Sequence, residues 1–420
     1  MSSAGRIVEA VTCLGCGCTC DDIRVTVTGD RITAADRACR PGQQWFGDGT
    51  TPALCRIGGR TADRAAAVAE LGKQLTAASA KGRALIYLST DLNTDGQRAA
   101  VALADRLKSR IDSVSSDSVL QGILASQRRG RSAATMGELR NRADVVVFWG
   151  CDPAERYPRF RERCVPDAAG MDVPLGRAGR KVIAVDVGSG RGPADADARV
   201  AVAPAEEVSA LSLLRAAVGG RSLEGSGALG AAMQGLAGQL TGAKYCAVIF
   251  DPEPGTDFVD PHRAEGLIAL TQALNAPTRA ALCVLRGGGN RPGNEQVLTW
   301  QTGFPVAVDF RGGAPSYDPG RPASALLEAG ALDCVLVVGD FRSVPAAVSS
   351  RFGKAAIGVI GPAASALAPA GAIAIDTGRA GIHEGGTVFR LDEVPLPLTP
   401  VLPGPAGVAE VLRELNEARR

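Results

Sequence analysis

Short, continuous apolar runs punctuate the chain: Ala84–Leu88, Ala143–Gly150, Lys181–Asp186, Arg199–Val202, Ala247–Phe250, Ala281–Leu285, Val306–Asp309, Cys334–Val338, Ala356–Ile360 and Ala372–Ile375. Runs this short and this apolar predict strands buried on both faces, as in parallel sheets. Between them, apolar residues return every three or four positions. Ala65, Ala66, Val68, Leu71 and Leu75 predict a helix over 61–80, and further helices are predicted over 96–108, 119–127, 261–275 and 406–418. Strands alternating with helices give an α/β class with doubly wound sheets. Asp112–Asp117 reads as a loop, Asp251–Gly255 as the turn between two α/β sets, and Pro395–Pro400 as an extended tail.

Near the N-terminus the period changes. Ile23 to Ala35 alternates apolar and polar residues around Thr28-Gly29-Asp30, which predicts a two-stranded hairpin. Cysteines flank it: Cys13, Cys16 and Cys20 before, Cys39 after, in the pattern C-x2-C-x3-C-x18-C. Three thiols on one short loop and a fourth on the return suit a [4Fe–4S] cluster or an all-cysteine zinc site. Residues 1–57 form this small head, too short and polar to be stable without a metal or neighbours. Cys18 lies inside the loop and reads as a bystander or substitute ligand.

Composition narrows the class. The 420 residues allow about two to four units of ordinary size. The chain is 45% hydrophobic, and its net charge of +2 argues against nucleic-acid or anionic-membrane partners. No apolar run reaches bilayer length and the first residues lack a signal peptide's apolar region, so a cytoplasmic location is expected, without a disulfide framework. Two histidines, His262 and His383, are too few for a histidine metal cluster. Cys246, Cys283 and Cys334 sit in strand-like runs and read as core. Two glycine-rich loops follow strands: Gly188-Ser189-Gly190-Arg191-Gly192 and Arg286-Gly287-Gly288-Gly289-Asn290. Each is a candidate phosphate cradle or a tight turn.

The cysteine spacing with Asp21-Asp22-Ile23 resembles the tungsten- or molybdenum-binding B subunit of formylmethanofuran dehydrogenase, within the molybdopterin oxidoreductase class. The stretches 141–153, 294–310 and 385–390 resemble the same family, so the likeness runs through most of the chain. It implies a small iron–sulfur domain (1–57) and two interleaved doubly wound α/β domains of the formate dehydrogenase or DMSO reductase type, one over 58–80 and 260–420, the other inserted at 81–259. In the family these hold two pterin dinucleotides between them; here the corresponding groups lie near Gly150, Cys151, Asp186, Gly287 and Asn290.

This chain departs from the family where the cofactor would be gripped. The metal-ligand cysteine or selenocysteine falls on Ser118, and the histidine after it on Val119, which has no proton to exchange. A His-Pro-Arg-His stretch becomes Tyr157-Pro158-Arg159-Phe160, and the histidine of the glycine loop becomes Gly288. The pattern resembles the B subunit of the bacterial formyltransferase/hydrolase complex. That resemblance implies a non-redox subunit without tungsto- or molybdopterin, partnered by an amidohydrolase-type A subunit, a C subunit and a formyltransferase D subunit. The complex passes a formyl group between tetrahydromethanopterin, a methanofuran-type carrier and formate. The alternative is a working tungsten or molybdenum subunit with Ser118 or Asp117 on the metal. Trp300, Phe304 and Phe310 are expected either at partner contacts or in the core, and Asp309 with Arg390 as a buried pair.

Overall fold

The computed structural model describes residues 5–253 and 261–417. Pro254, Gly255 and Ala418, which the predicted turn and last helix include, lie outside them. The chain divides into two compact units, Met1–Ser118 with Gly288–Arg420, and Val119–Gly287. The inserted unit thus begins at 119 and ends at 287, where the family resemblance implies 81 and 259.

In the first unit a nine-stranded sheet runs in the order Ser316–Tyr317, Val308–Asp309, Arg110–Ser113, Ala84–Leu88, Cys334–Val338, Ala356–Gly361, Ile373–Asp376, Cys55–Ile57 and Arg60–Ala62. Its five central strands are parallel and both edges end in antiparallel pairs. Ala84–Leu88 lies in register against Cys334–Val338, which is why residues 81–118 belong to this unit. The fully buried Leu85, Ile86, Tyr87 and Leu88 have both faces covered, as their unbroken apolar run predicts.

Helices close over the sheet where local signals start them. Asp63 caps Arg64–Ala80 by accepting from the Ala66 N–H at 2.8 Å, and Asn93 caps Thr94–Leu107 by accepting from Gly96. The first helix buries Val68, Leu71 and Leu75 of the predicted stripe, whereas Ala65 and Ala66 are exposed. A separate three-stranded antiparallel sheet, Arg6–Val11, Ile23–Thr28 and Arg31–Asp36, carries the cysteine loop between its first two strands. The expected hairpin is there. The Arg6–Val11 strand has no counterpart in the sequence pattern, because most of its residues are exposed or half-buried.

The second unit is a five-stranded, wholly parallel sheet in the order Ala198–Val202, Lys181–Val187, Val145–Trp149, Cys246–Phe250 and Ala280–Val284. The chain winds outward from Val145–Trp149 in one direction and then the other, so it is doubly wound. The Ala280–Val284 strand, expected in the other α/β set, pairs here. Cys246, Cys283 and Cys334 are buried core residues, as expected. Among the described residues no helix is long and apolar enough to cross a membrane.

Candidate functional site

The cysteine loop is built by close backbone packing. The Cys13 N–H donates to the Cys20 carbonyl at 2.8 Å, and the Thr19 N–H to the Cys16 carbonyl at 3.2 Å. Gly15 lies so close to the return segment that a Cβ there would sit 2.7 Å from the Pro41 carbonyl oxygen. The return segment brings Cys39 in as the residue before the Arg40–Phe46 helix. A Cβ on Gly42 would meet the Cys13 sulfur at 3.2 Å and the Cys39 sulfur at 3.9 Å, so those two thiols converge on one glycine. The Gly15 N–H donates to the Cys13 sulfur at 3.3 Å. Burial pushes the Cys13 thiol well above its ordinary value, against the Gly15 amide, and Cys16, Cys20 and Cys39 push the same way.

Cys18 is tied into the loop: its side chain hydrogen-bonds to Cys16 and draws that thiol's pKa down. The donor chemistry of the loop fits a soft metal. The side chains as placed stop short of a closed cage, and no group of three or more His, Cys, Asp or Glu among the described residues is set to hold a metal.

The expected loop at 112–117 is ordered. It forms the end of the Arg110–Ser113 strand and a one-turn helix, Val114–Ser118. Asp112 organises it by accepting from the Ser113, Ala307 and Ala323 amides at 2.8–3.0 Å and from the Ser116 hydroxyl at 2.6 Å. Asp117 accepts from the Tyr87 hydroxyl at 2.9 Å and the Ser324 amide at 3.1 Å.

The Ser118 hydroxyl donates to the Val114 carbonyl and accepts from the Arg291 guanidinium, which also donates to that carbonyl at 3.2 Å. Arg291 is buried, on the Arg291–Thr302 helix. Both residues nominated as metal ligands, Ser118 and Asp117, are therefore engaged in protein hydrogen bonds, and Val119 is buried and apolar.

The residues nominated around a pterin cleft are also committed. Gly150 turns the chain with φ +61° and donates to the Val185 carbonyl at 2.7 Å. The Cys151 thiol is buried and donates to the Ile249 carbonyl, and burial pushes its pKa up. Asp186 accepts from the Gly192 amide at 2.9 Å and from Arg199 and Arg191. Burial pushes this carboxyl up, but the Gly192 amide and the two guanidinium groups outweigh it and hold it low. The Gly287 amide donates to Glu253 at 2.9 Å, and the Gly289 amide to Asp91 at 3.2 Å. Asn290 is buried, donating to the Leu92 carbonyl and accepting from the Phe389 amide. Tyr157 and Phe160, which stand where the family places histidines, are core residues.

Asp309 and Arg390 are not partners of one another. Asp309 binds Arg311 at 2.7 Å and Arg390 binds Asp392 at 2.6 Å, each two residues away in sequence. Phe310 is core, Phe304 stacks on Tyr317, and Trp300 leans on Phe389 with 53% of its surface exposed.

No protein-family model matches the chain. It is 31% identical over 426 residues to the B subunit of tungsten-containing formylmethanofuran dehydrogenase 2 of Methanocaldococcus jannaschii, covering 96% of this chain and 95% of that one. The chain belongs to the family of formylmethanofuran dehydrogenase B subunits. The corresponding protein of Methanococcus maripaludis is 29% identical over 98% of both chains. The B subunit of the Methylorubrum extorquens formyltransferase/hydrolase complex is 30% identical over 67% of this chain and 73% of its own length. Among solved structures, the crystal structure of that four-component complex with methylofuran has a matching chain at TM-score 0.73 and 25% identity, covering 87% of this chain and 98% of that one.

Proposed function

We propose that this chain is the non-redox, structural B subunit of a formyltransferase/hydrolase complex, cytoplasmic and of the formate dehydrogenase or DMSO reductase fold type. Its complex releases formate from formyl-tetrahydromethanopterin through a formylmethanofuran-type carrier. Its partners are the amidohydrolase-type A, C and formyltransferase D subunits.

The observation that carries this reading is Ser118. Its single proton goes to Val114 and one of its two lone pairs receives Arg291, a buried cation that opposes binding of a metal cation at the same oxygen. A ligating alkoxide would lose the bond to Val114 and would bind its metal beside the buried guanidinium, and Val119 supplies no replacement donor. Ser118 and Val119 are therefore poorly suited to ligate tungsten or molybdenum.

Cys13, Cys16, Cys20 and Cys39 would hold a [4Fe–4S] cluster or a zinc ion, which supplies folding energy to the small head. A second reading, a catalytic tungsten subunit, draws support from the near-complete coverage of the two tungsten-containing relatives.

Purification of the native complex, with mass-spectrometric identification of copurifying subunits, tests the assignment. An amidohydrolase-type and a formyltransferase subunit are expected. Ferredoxin-type subunits with a redox-active complex would refute it.

A further inference from the structure

In the second unit the neighbouring parallel strands Cys246–Phe250 and Ala280–Val284 end side by side, on the carboxyl-end face of the sheet, the face on which open α/β folds bind their ligands. Asp251 and Glu253 follow the first strand, and Arg286 and Gly287 follow the second. The Gly287 N–H donates to Glu253 Oε1 at 2.9 Å, and Arg156 Nη2 donates to Glu253 Oε2. Arg156 Nη1 reaches Asp251 Oδ2 at 2.5 Å, and the Glu253 amide folds back on Asp251 Oδ1 at 3.0 Å. A Cβ on Gly287 would lie 2.8 Å from both Arg156 Nη2 and Glu253 Oε2, so a side chain there would push the ion pair away from this amide. Glu253 is nine-tenths buried.

A guanidinium and a glycine amide aimed at one point are the donor set that takes two oxygens of a phosphate. We infer that Arg156 and the Gly287 amide form an anion site whose resident ligand is the chain's own Glu253 carboxylate. Its two oxygens stand where two phosphate oxygens would bind, and Asp251 beside it repels a second anion. In the other unit the Gly289 amide is likewise taken by a side-chain oxygen, that of Asp91, whose own amide donates back to the Gly289 carbonyl at 2.8 Å. Two amides of the glycine loop, those of Gly287 and Gly289, are thus taken up by the chain's own carboxylates. This closure uses different residues from the loss at Ser118 and stands or falls separately.

Titration calorimetry of the full chain with inorganic pyrophosphate tests it. Wild type is expected to give no saturable heat. Glu253→Ala is expected to gain binding by at least about tenfold, equivalent to about 1.4 kcal/mol. Adding Arg156→Ala to that variant is expected to abolish the gain. Glu253→Gln, which keeps an acceptor for Gly287 but loses the charge, is expected to gain less, and it decides the matter if Glu253→Ala does not fold. Pyrophosphate binding equal in wild type and variants, or no gain in a variant that melts like wild type, would overturn the site. Tungsten assayed in the same preparations keeps the two proposals apart, because its presence refutes the non-redox reading without touching the Glu253 result.

Discussion

The cysteine loop and the 112–119 segment differ in what surrounds their polar atoms. The loop keeps its thiols at full spacing, packs two of them around Gly42, and uses backbone amides to support sulfur. In the 112–119 segment the polar atoms face inward: Asp112, Asp117 and Ser118 are all engaged by the surrounding protein. Buried polar atoms that have protein hydrogen-bond partners need no bound metal to be satisfied.

The cysteine side gives the largest expected effect. If the loop holds a structural metal, Cys13→Ala and Cys39→Ala lose iron or zinc and lower the melting temperature by roughly 10 °C, whereas Cys18→Ser keeps the metal. Elemental analysis and melting curves on anaerobically purified protein check both. Metal-free wild type would remove this half of the contrast.

On the other side, Asp112→Ala leaves the Ser113, Ala307 and Ala323 amides without their acceptor. It should cost about 3 kcal/mol by denaturant titration, with no change in metal content. Ser118→Ala should cost about 1–2 kcal/mol, because it leaves the buried Arg291 short of a partner atom. Formyl transfer and hydrolysis by the complex should be unaltered. If Ser118 ligated a metal, the same substitution would abolish dye reduction.

A pH slope adds a separate test. Burial, and then the nearby Asp340, push Asp91 up to about 7 from an ordinary value near 4. An acid raised on folding contributes stability fully below about pH 4 and loses it as pH rises through about 7. The melting temperature should therefore decline across that window. Asp91→Asn, which suits the left-handed backbone at φ +63°, should flatten the decline.

Most of the strands were legible because an apolar run buried on both faces reads the same in sequence and in space. Partnership was less so. Ala84–Leu88 gives no sign that its neighbour is Cys334–Val338, since pairing between strands so far apart in the chain leaves no local trace. That pairing moved the start of the inserted unit, and the pairing of Ala280–Val284 with Cys246–Phe250 moved its end. The 112–118 segment looked like a loop because its residues are polar, and their burial follows from partners at 307, 323 and 291 that no local pattern announces. The pairing of Asp309 with Arg390 failed for the converse reason, because each had a partner two residues away. The candidate site was legible as a set of missing family groups. That Ser118 is held by Arg291, and Gly287 by Glu253, required the fold.

The most direct test is tungsten, molybdenum and pterin content, measured together with viologen dye reduction by formylmethanofuran on the natively purified complex. The account predicts formate release with neither heavy metal nor pterin and no dye reduction. A heavy metal with bound pterin and dye reduced at the expense of the formyl group would contradict it.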